Sequence, residues 1–287
     1  MTDDAATSFV PHRSRLIGLA YRMLGSMSDA EDVVQDAYLR WHAADRAAVV
    51  HPGGFLAKIV ARLCLDRLKA ARAQREHYVG PWLPEPVLDD PALGPDATAE
   101  LAGDLSLALV LVLDRLSPLE RAAFLLHDVF GMEFDDVGEV LGRTEAACRQ
   151  LATRAREHVQ HERSRFAAPR DHAEKLATAF FAAAAAGDVA GLSRVLAEDA
   201  VFYSDGGGKR RAALRPILGK DRVIRFVLGV LRKRELPTQV TPAWINGMPG
   251  LLARGADGVE TLAVEVHGNH IAAIYAVRNP DKLHHLA

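Results

Sequence analysis

The stretch "RTEAACRQLATRARE", residues 143–157, poses the fold question for this chain. At helical spacing it gathers Cys148, Leu151, Ala152, Ala155 and, one turn on, Val159 on one side, with Arg149, Gln150, Thr153, Arg154 and Arg156 towards the other. One side packs, and the other can meet a polyanion. Just before it, "FDDVGEVLG" (134–142) is a second short helical pattern, and a tight turn around Gly142 to Thr144 separates the two. That layout predicts a helix-turn-helix, whose second helix enters the major groove so that Arg and Gln reach base edges and phosphates. A helical hairpin inside a bundle, with a merely solvated basic face, is the other reading of these residues.

The chain has 287 residues and a formal net charge of -2, long enough for two or three domains. The summed charge hides strong patterning. Residues 1–169 hold 19 Lys+Arg against 25 Asp+Glu, and residues 170–287 hold 16 against 12. Yet residues 58–75 carry six basic side chains against Asp66 alone, and residues 143–165 carry six Arg against three Glu. Screening limits charge effects to about 8–10 Å in physiological salt, so these local patches govern contact with nucleic acid. Between them, residues 76–104 hold seven acids and no Lys or Arg. No secretory signal and no apolar run of transmembrane length is present, which predicts a cytoplasmic chain with no membrane partner. Cys64 and Cys148, far apart and each within a helical pattern, read as reduced core thiols.

Helical patterns cover 8–25, 29–43 and 53–76, broken at "GS" and "HPGG". Ser28 with Glu31 reads as a capping box, after which Ala30, Val33, Val34, Ala37 and Trp41 form a buried stripe. Asp32, Gln35, Asp36 and Leu39 then face outward, a surface suited to a protein partner. The segment "YVGPWLPEPVLDDPALGPD" (78–96) has five prolines in 19 residues, which excludes an ordinary helix and predicts an extended linker. Helices resume at 97–113, 118–130, 134–141 and 145–163, with Ser117, Pro118 and Glu120 forming an N-terminal capping box. Past residue 168, Ala-rich helices (171–196) lead to "AVFYSDGGGK", a strand running into a glycine turn. Apolar runs at 238–246, 250–255, 259–266 and 270–277, punctuated by "GMPG", "GADG" and "GN", predict an antiparallel meander and an α+β domain.

Three segments carry a family resemblance. "AYRMLGSMSDAEDVVQDAYLRW" (20–41), "GGFLAKIVARLCLDRLKAARAQRE" (53–76) and "CRQLATRARE" (148–157), in this order and spacing, resemble the extracytoplasmic-function sigma factors of bacterial RNA polymerase. The resemblance covers about residues 8–165. "WLPEP" (82–86), "DGGGK" (205–209) and "NPDKL" (279–283) are similar to the subgroup with a fused C-terminal SnoaL-like domain. It implies a multidomain chain: two all-α helical sigma domains, the second with the helix-turn-helix, plus a C-terminal α+β SnoaL-like cone-shaped barrel. The parts would be 1–77 (region 2, core binding and the -10 element), 78–104 (Pro-rich acidic linker), 105–167 (region 4, the -35 element) and 168–287 (regulatory domain).

Carried over by position, the resemblance implies that Asp32, Gln35, Asp36 and Leu39 grip the clamp of the polymerase core, formed by its beta and beta-prime subunits. Arg62, Arg67, Lys69 and Arg72 would serve the -10 element, although Phe55 and Arg62 stand where many members have Trp and Asn. Arg149, Gln150, Thr153 and Arg154 would read the -35 element of promoter DNA. The acidic linker resembles a mimic of single-stranded nucleic acid able to thread towards the polymerase active-site channel. A regulatory surface made by Asp205, Gly206, Gly207, Gly208 and Lys209 with Asn279, Pro280, Asp281, Lys282 and Leu283 would dock on the linker at Trp82, Leu83, Pro84 and Glu85 and on the helical domains on either side.

No catalytic residue, cofactor or metal is implied. A small-molecule ligand in the mouth of the C-terminal domain stays open. Asp205 is either a general base of that domain or ordinary turn chemistry before three glycines. His267 and His270 bracket a hairpin turn, read as solvent exposed, and lack a third metal ligand. The rival class is an enzyme, a SnoaL-like isomerase or hydrolase with a DNA-binding module; only the sigma factor would need polymerase core for tight sequence-specific DNA binding.

Overall fold

The structure, a computed structural model, describes residues 4–75, 78–89, 107–163, 168–235 and 237–286. It divides into two compact units, Met1–Glu76 with Leu109–Glu162, and His77–Ala108 with Arg163–Ala287.

In the first unit, α1 (Asp4–Leu24), α2 (Met27–Ala43) and α3 (Pro52–Arg75) pack through Leu19, Tyr21, Val33, Trp41, Leu56 and Val60. Trp41 is wholly enclosed because its indole N–H is satisfied, donating to the Ala5 carbonyl at 3.2 Å and the Ser8 hydroxyl at 3.1 Å. The α2 cap differs from the expected one. Ser26, not Ser28, accepts from Asp29 N (3.2 Å), because Gly25 (φ 72°) already turns the chain out of α1 and leaves Ser26 in the extended conformation an N-cap requires.

Next come α4 (Leu107–Asp114) and α5 (Pro118–Phe124). The Ser117–Glu120 capping box forms as expected, with bonds of 3.3 and 3.0 Å in the two directions. The helix predicted for 118–130 changes pitch at Leu125, where a π turn (Leu125–Val129) begins. Arg121 is buried, and its guanidinium donates to the carbonyls of Leu113 (2.8 Å) and Met23 (2.5 Å) and to Asp114 (2.9 Å). It thereby satisfies helix-end carbonyls of both α4 and α1. After α5 follow α6 (Phe134–Leu141) and α7 (Glu145–Arg163), the helix-turn-helix pair. Their close approach depends on Gly138, where a Cβ would sit 2.7 Å from the Arg143 carbonyl oxygen.

The second unit begins its globular part with α8 (Arg170–Ala186) and α9 (Val189–Val195). Strands β1 (Leu196–Asp205) and β2 (Ile217–Leu218), helix α10 (Lys220–Lys233) and strands β3 (Gln239–Ile245), β4 (Met248–Gly255), β5 (Gly258–His267) and β6 (His270–Val277) complete it. The sheet order is β2-β1-β6-β5-β4-β3, with β1 parallel to β6 and every other pair antiparallel. The meander over β3 to β6 matches the predicted apolar runs. One sheet face is covered by the three helices through Phe180, Leu192, Val223, Leu228, Val264 and Ile274.

The expected cone-shaped barrel is not there. The sheet is open, and among the described residues no ladder joins its edge strands β2 and β3. β2 is two residues long and pairs only with β1. On the far edge Pro242 interrupts the donors of β3, and among the described residues the linker adds a bridge there, Leu88 to Ile245. No helix among the described residues is long and apolar enough to cross a membrane.

Candidate functional site

Helix α7 carries a polar, basic face over an apolar stripe. Thr144 caps the helix, its hydroxyl accepting from Ala147 N at 3.3 Å, while Cys148, Ala152, Ala155 and Val159 are buried beneath. Arg149, Gln150, Thr153 and Arg154 all stand exposed on the opposite face. Arg149 is held by an ion pair to Glu145 and lies 4.9 Å from the Phe134 ring centroid. Arg156 turns away to Asp128 (2.6 Å) and serves packing instead.

On α2, Asp32, Gln35, Asp36 and Leu39 are exposed, and Leu39 keeps 60% of its surface open. On α3, Arg62 and Lys69 are exposed and Arg67 is half-buried, while the Arg72 side chain lies outside the described residues. Arg62, Arg67 and Lys69 are partnered, Lys69 with Asp66 at 3.2 Å. Arg67 reaches Asp29 (2.9 Å), Asp32 (3.5 Å) and Asp36 (3.9 Å), and Arg62 donates to the Glu139 carbonyl (3.0 Å). Lys58 bonds Asp136 (2.6 Å) and Glu139 (2.8 Å) on α6. Burial draws its ammonium pKa down, but the bonds to those carboxylates outweigh it and leave the value raised.

The three motifs of the second unit meet at Asp205, a wholly buried carboxylate at the end of β1. One oxygen accepts from the Tyr78 hydroxyl (2.6 Å) and Gly207 N (3.0 Å), the other from Leu83 N (2.9 Å) and Lys282 Nζ (2.8 Å). Lys282 also donates to the Leu83 carbonyl (2.5 Å) and lies 4.3 Å from the Trp82 ring centroid. Asn279 donates to the Tyr78 hydroxyl (2.9 Å), close above Gly207, where a Cβ would meet its amide at 2.2 Å. Burial, then the Asp205 carboxylate, pushes the Tyr78 phenol up, so it stays a neutral donor. Asp205 thus combines the Asx turn expected from the glycines with a buried four-donor hub that turn chemistry alone does not predict.

Around the hub, Leu83, Pro84, Glu85, Gly206 and Leu283 are buried, while Gly208, Lys209, Pro280 and Asp281 are exposed. Lys209 pairs with Asp281 at 2.6 Å. The described linker continues along the sheet: Val87 N donates to Asn246 (3.0 Å), and Asp89 accepts from Gly247 N (3.1 Å). Residues 90–104 of the linker lie outside the described residues. His267, expected to be exposed, is partly covered beside Glu265 (2.5 Å) because β5 buries that carboxylate; His270 is exposed.

The description of sigma-70 region 2 matches residues 9–74, and that of sigma-70 region 4 matches residues 106–159. Over 96% of its length the chain is 38% identical to the ECF RNA polymerase sigma factor SigJ of Mycobacterium tuberculosis, spanning 92% of that protein. The chain belongs to the ECF RNA polymerase sigma factors.

This sigma factor is also 32% identical, over 98% of its length and 95% of the relative's, to the probable ECF RNA polymerase sigma factor SigI of M. tuberculosis. Its structure matches the crystal structure of M. tuberculosis SigJ with a TM-score of 0.80 and 36% identity, covering 97% of this chain and 98% of that one. The sigma factor directs promoter recognition and transcription initiation, and it is a non-catalytic transcription factor. Family membership brings interaction with RNA polymerase core and promoter DNA. Sequence reasoning missed Tyr78, Lys58 and Arg121 in the sigma factor. Tyr78 had a signal, an aromatic residue at the head of a proline-rich segment; the other two depend on partners remote in sequence.

Proposed function

We propose that this sigma factor grips the beta and beta-prime clamp through Asp32, Gln35, Asp36 and Leu39. Arg149, Gln150, Thr153 and Arg154 read the -35 element, and Arg62, Arg67, Lys69 and Arg72 hold the -10 region in the cytoplasm of the cell. The exposed, uninterrupted polar face of α7 over a buried apolar stripe supports the -35 assignment. The ties of Lys58, Arg62 and Arg67 to acids and a carbonyl of α2 and α6 support a resting state in which DNA-facing cations are occupied. Core binding to α2 competes for the acids that hold Arg67 and frees that cation.

The C-terminal unit, read as SnoaL-like from its three motifs, sets output by holding the linker. The observation that carries this is Asp205, whose buried carboxylate takes Tyr78 and Leu83 from the linker and Lys282 from the tail. A linker held on the sheet cannot extend into the polymerase channel, so docking lowers output and release raises it. Fluorescence anisotropy with promoter DNA tests the first part. Tight sequence-specific binding is expected only with purified core present; equal binding by the sigma factor alone would count against it.

A further inference from the structure

We propose that Glu85, His284 and His285 form a binding site for a divalent transition metal of the zinc class, joining the linker to the last turn of the chain. Each residue offers a ligand atom, and these atoms lie within 4.8 Å of one another. A carboxylate with two imidazoles is a donor set zinc accepts, at bonds of about 2.0–2.2 Å, which separates ligand atoms by about 3.4 Å in a tetrahedron. Glu85 Oε1 and His285 Nδ1 are 3.1 Å apart, near that spacing.

The second ring nitrogens are fixed as well. His284 Nδ1 lies 2.9 Å from the Asp281 carbonyl oxygen, and His285 Nε2 lies 2.9 Å from that of Pro86. A carbonyl oxygen only accepts, so each of those nitrogens is the donor, and His284 Nε2 and His285 Nδ1 are the ring atoms placed to meet a metal. This is the outer-shell arrangement that orients metal-bound histidines. Glu85, unlike the two histidines, is buried. The side chain of His284 is exposed, so the site opens to solvent and a water can complete four ligands.

Glu85 lies two residues after Leu83 and His284 two residues after Lys282, both partners in the Asp205 hub. Metal there would add a second clasp on the docked linker. The inference does not depend on the promoter-reading residues, and its readout is metal content, so its failure leaves them untouched.

The test uses the untagged full-length chain, stripped with chelator, dialysed against zinc chloride and assayed by mass spectrometry for metal and by competition with a zinc-chelating dye. One zinc per chain is expected. His284→Ala, at an exposed position that leaves the fold intact, and Glu85→Gln should each weaken it by at least about 10-fold. Zinc should also slow proteolysis of residues 78–89. Absence of zinc uptake, or equal uptake by His284→Ala, overturns the proposal. So does linker protection that zinc leaves unchanged.

Discussion

The Nζ of Lys282 lies 2.8 Å from Oδ2 of Asp205, and the carboxylate it meets is wholly buried. A buried charge pair is sensitive to the loss of one partner, because the survivor keeps its desolvation cost without its counter-charge. Lys282→Met should therefore destabilise linker docking by about 3–5 kcal/mol, read as faster proteolysis between residues 78 and 89. Asp205→Ala should cost at least as much, since Tyr78 and Leu83 N lose their acceptor too. A double-mutant cycle giving additive effects would contradict a direct pair.

Arg149→Ala and Arg154→Ala should each weaken use of a cognate promoter by about 1–3 kcal/mol where the contact to a base is bidentate. Core association should be unchanged, because neither side chain lies on α2. In a run-off assay, parental output from both variants would remove α7 from -35 recognition.

Asp32→Arg with Gln35→Ala should weaken co-purification with core while leaving helicity by circular dichroism intact. Both side chains project from α2 away from its buried stripe. Arg67 would lose one of its three acidic neighbours, an exposed contact worth under about 1 kcal/mol, so folding is not the variable measured.

Lys58→Glu should loosen α3 from α6 by turning two attractions into repulsions. Its raised pKa fixes the pH behaviour of the parent: the contact is fully present below the ordinary lysine value and is lost as pH rises through the higher folded one. Side-chain exposures of 23% for Lys58 and 48% and 61% for its partners keep each bond near the small end, under about 1 kcal/mol. Hydrogen exchange in α6 should quicken in Lys58→Glu and in the parent at high salt. No change in either would show that the pair is idle.

Local signals in the sequence carried the helices and the meander. The stripe Val33, Ala37 and Trp41 appears at its predicted spacing, and "GADG" and "GN" sit in the turns flanking β5, because a turn and an apolar period are encoded within a few residues. What depended on remote partners was not legible. Whether β2 pairs with β3 decides barrel against open sheet, and nothing within either strand states it. Asp205 reads locally as a turn residue; its burial follows from Tyr78, Leu83 and Lys282 arriving from distant segments. The α2 cap slipped from Ser28 to Ser26 because two serines two residues apart offer the same chemistry, and only backbone conformation chooses between them.

The most direct measurement of the central claim is run-off transcription by purified core from a cognate promoter, comparing the parent with Asp205→Asn and Lys282→Met. Linker protection is followed in the same samples. The account predicts core-dependent transcripts in every case, with severalfold higher output from both variants as residues 78–89 lose protection. Loss of protection with output unchanged, or output that falls in step with it, would contradict the claim that the docked linker holds this sigma factor back.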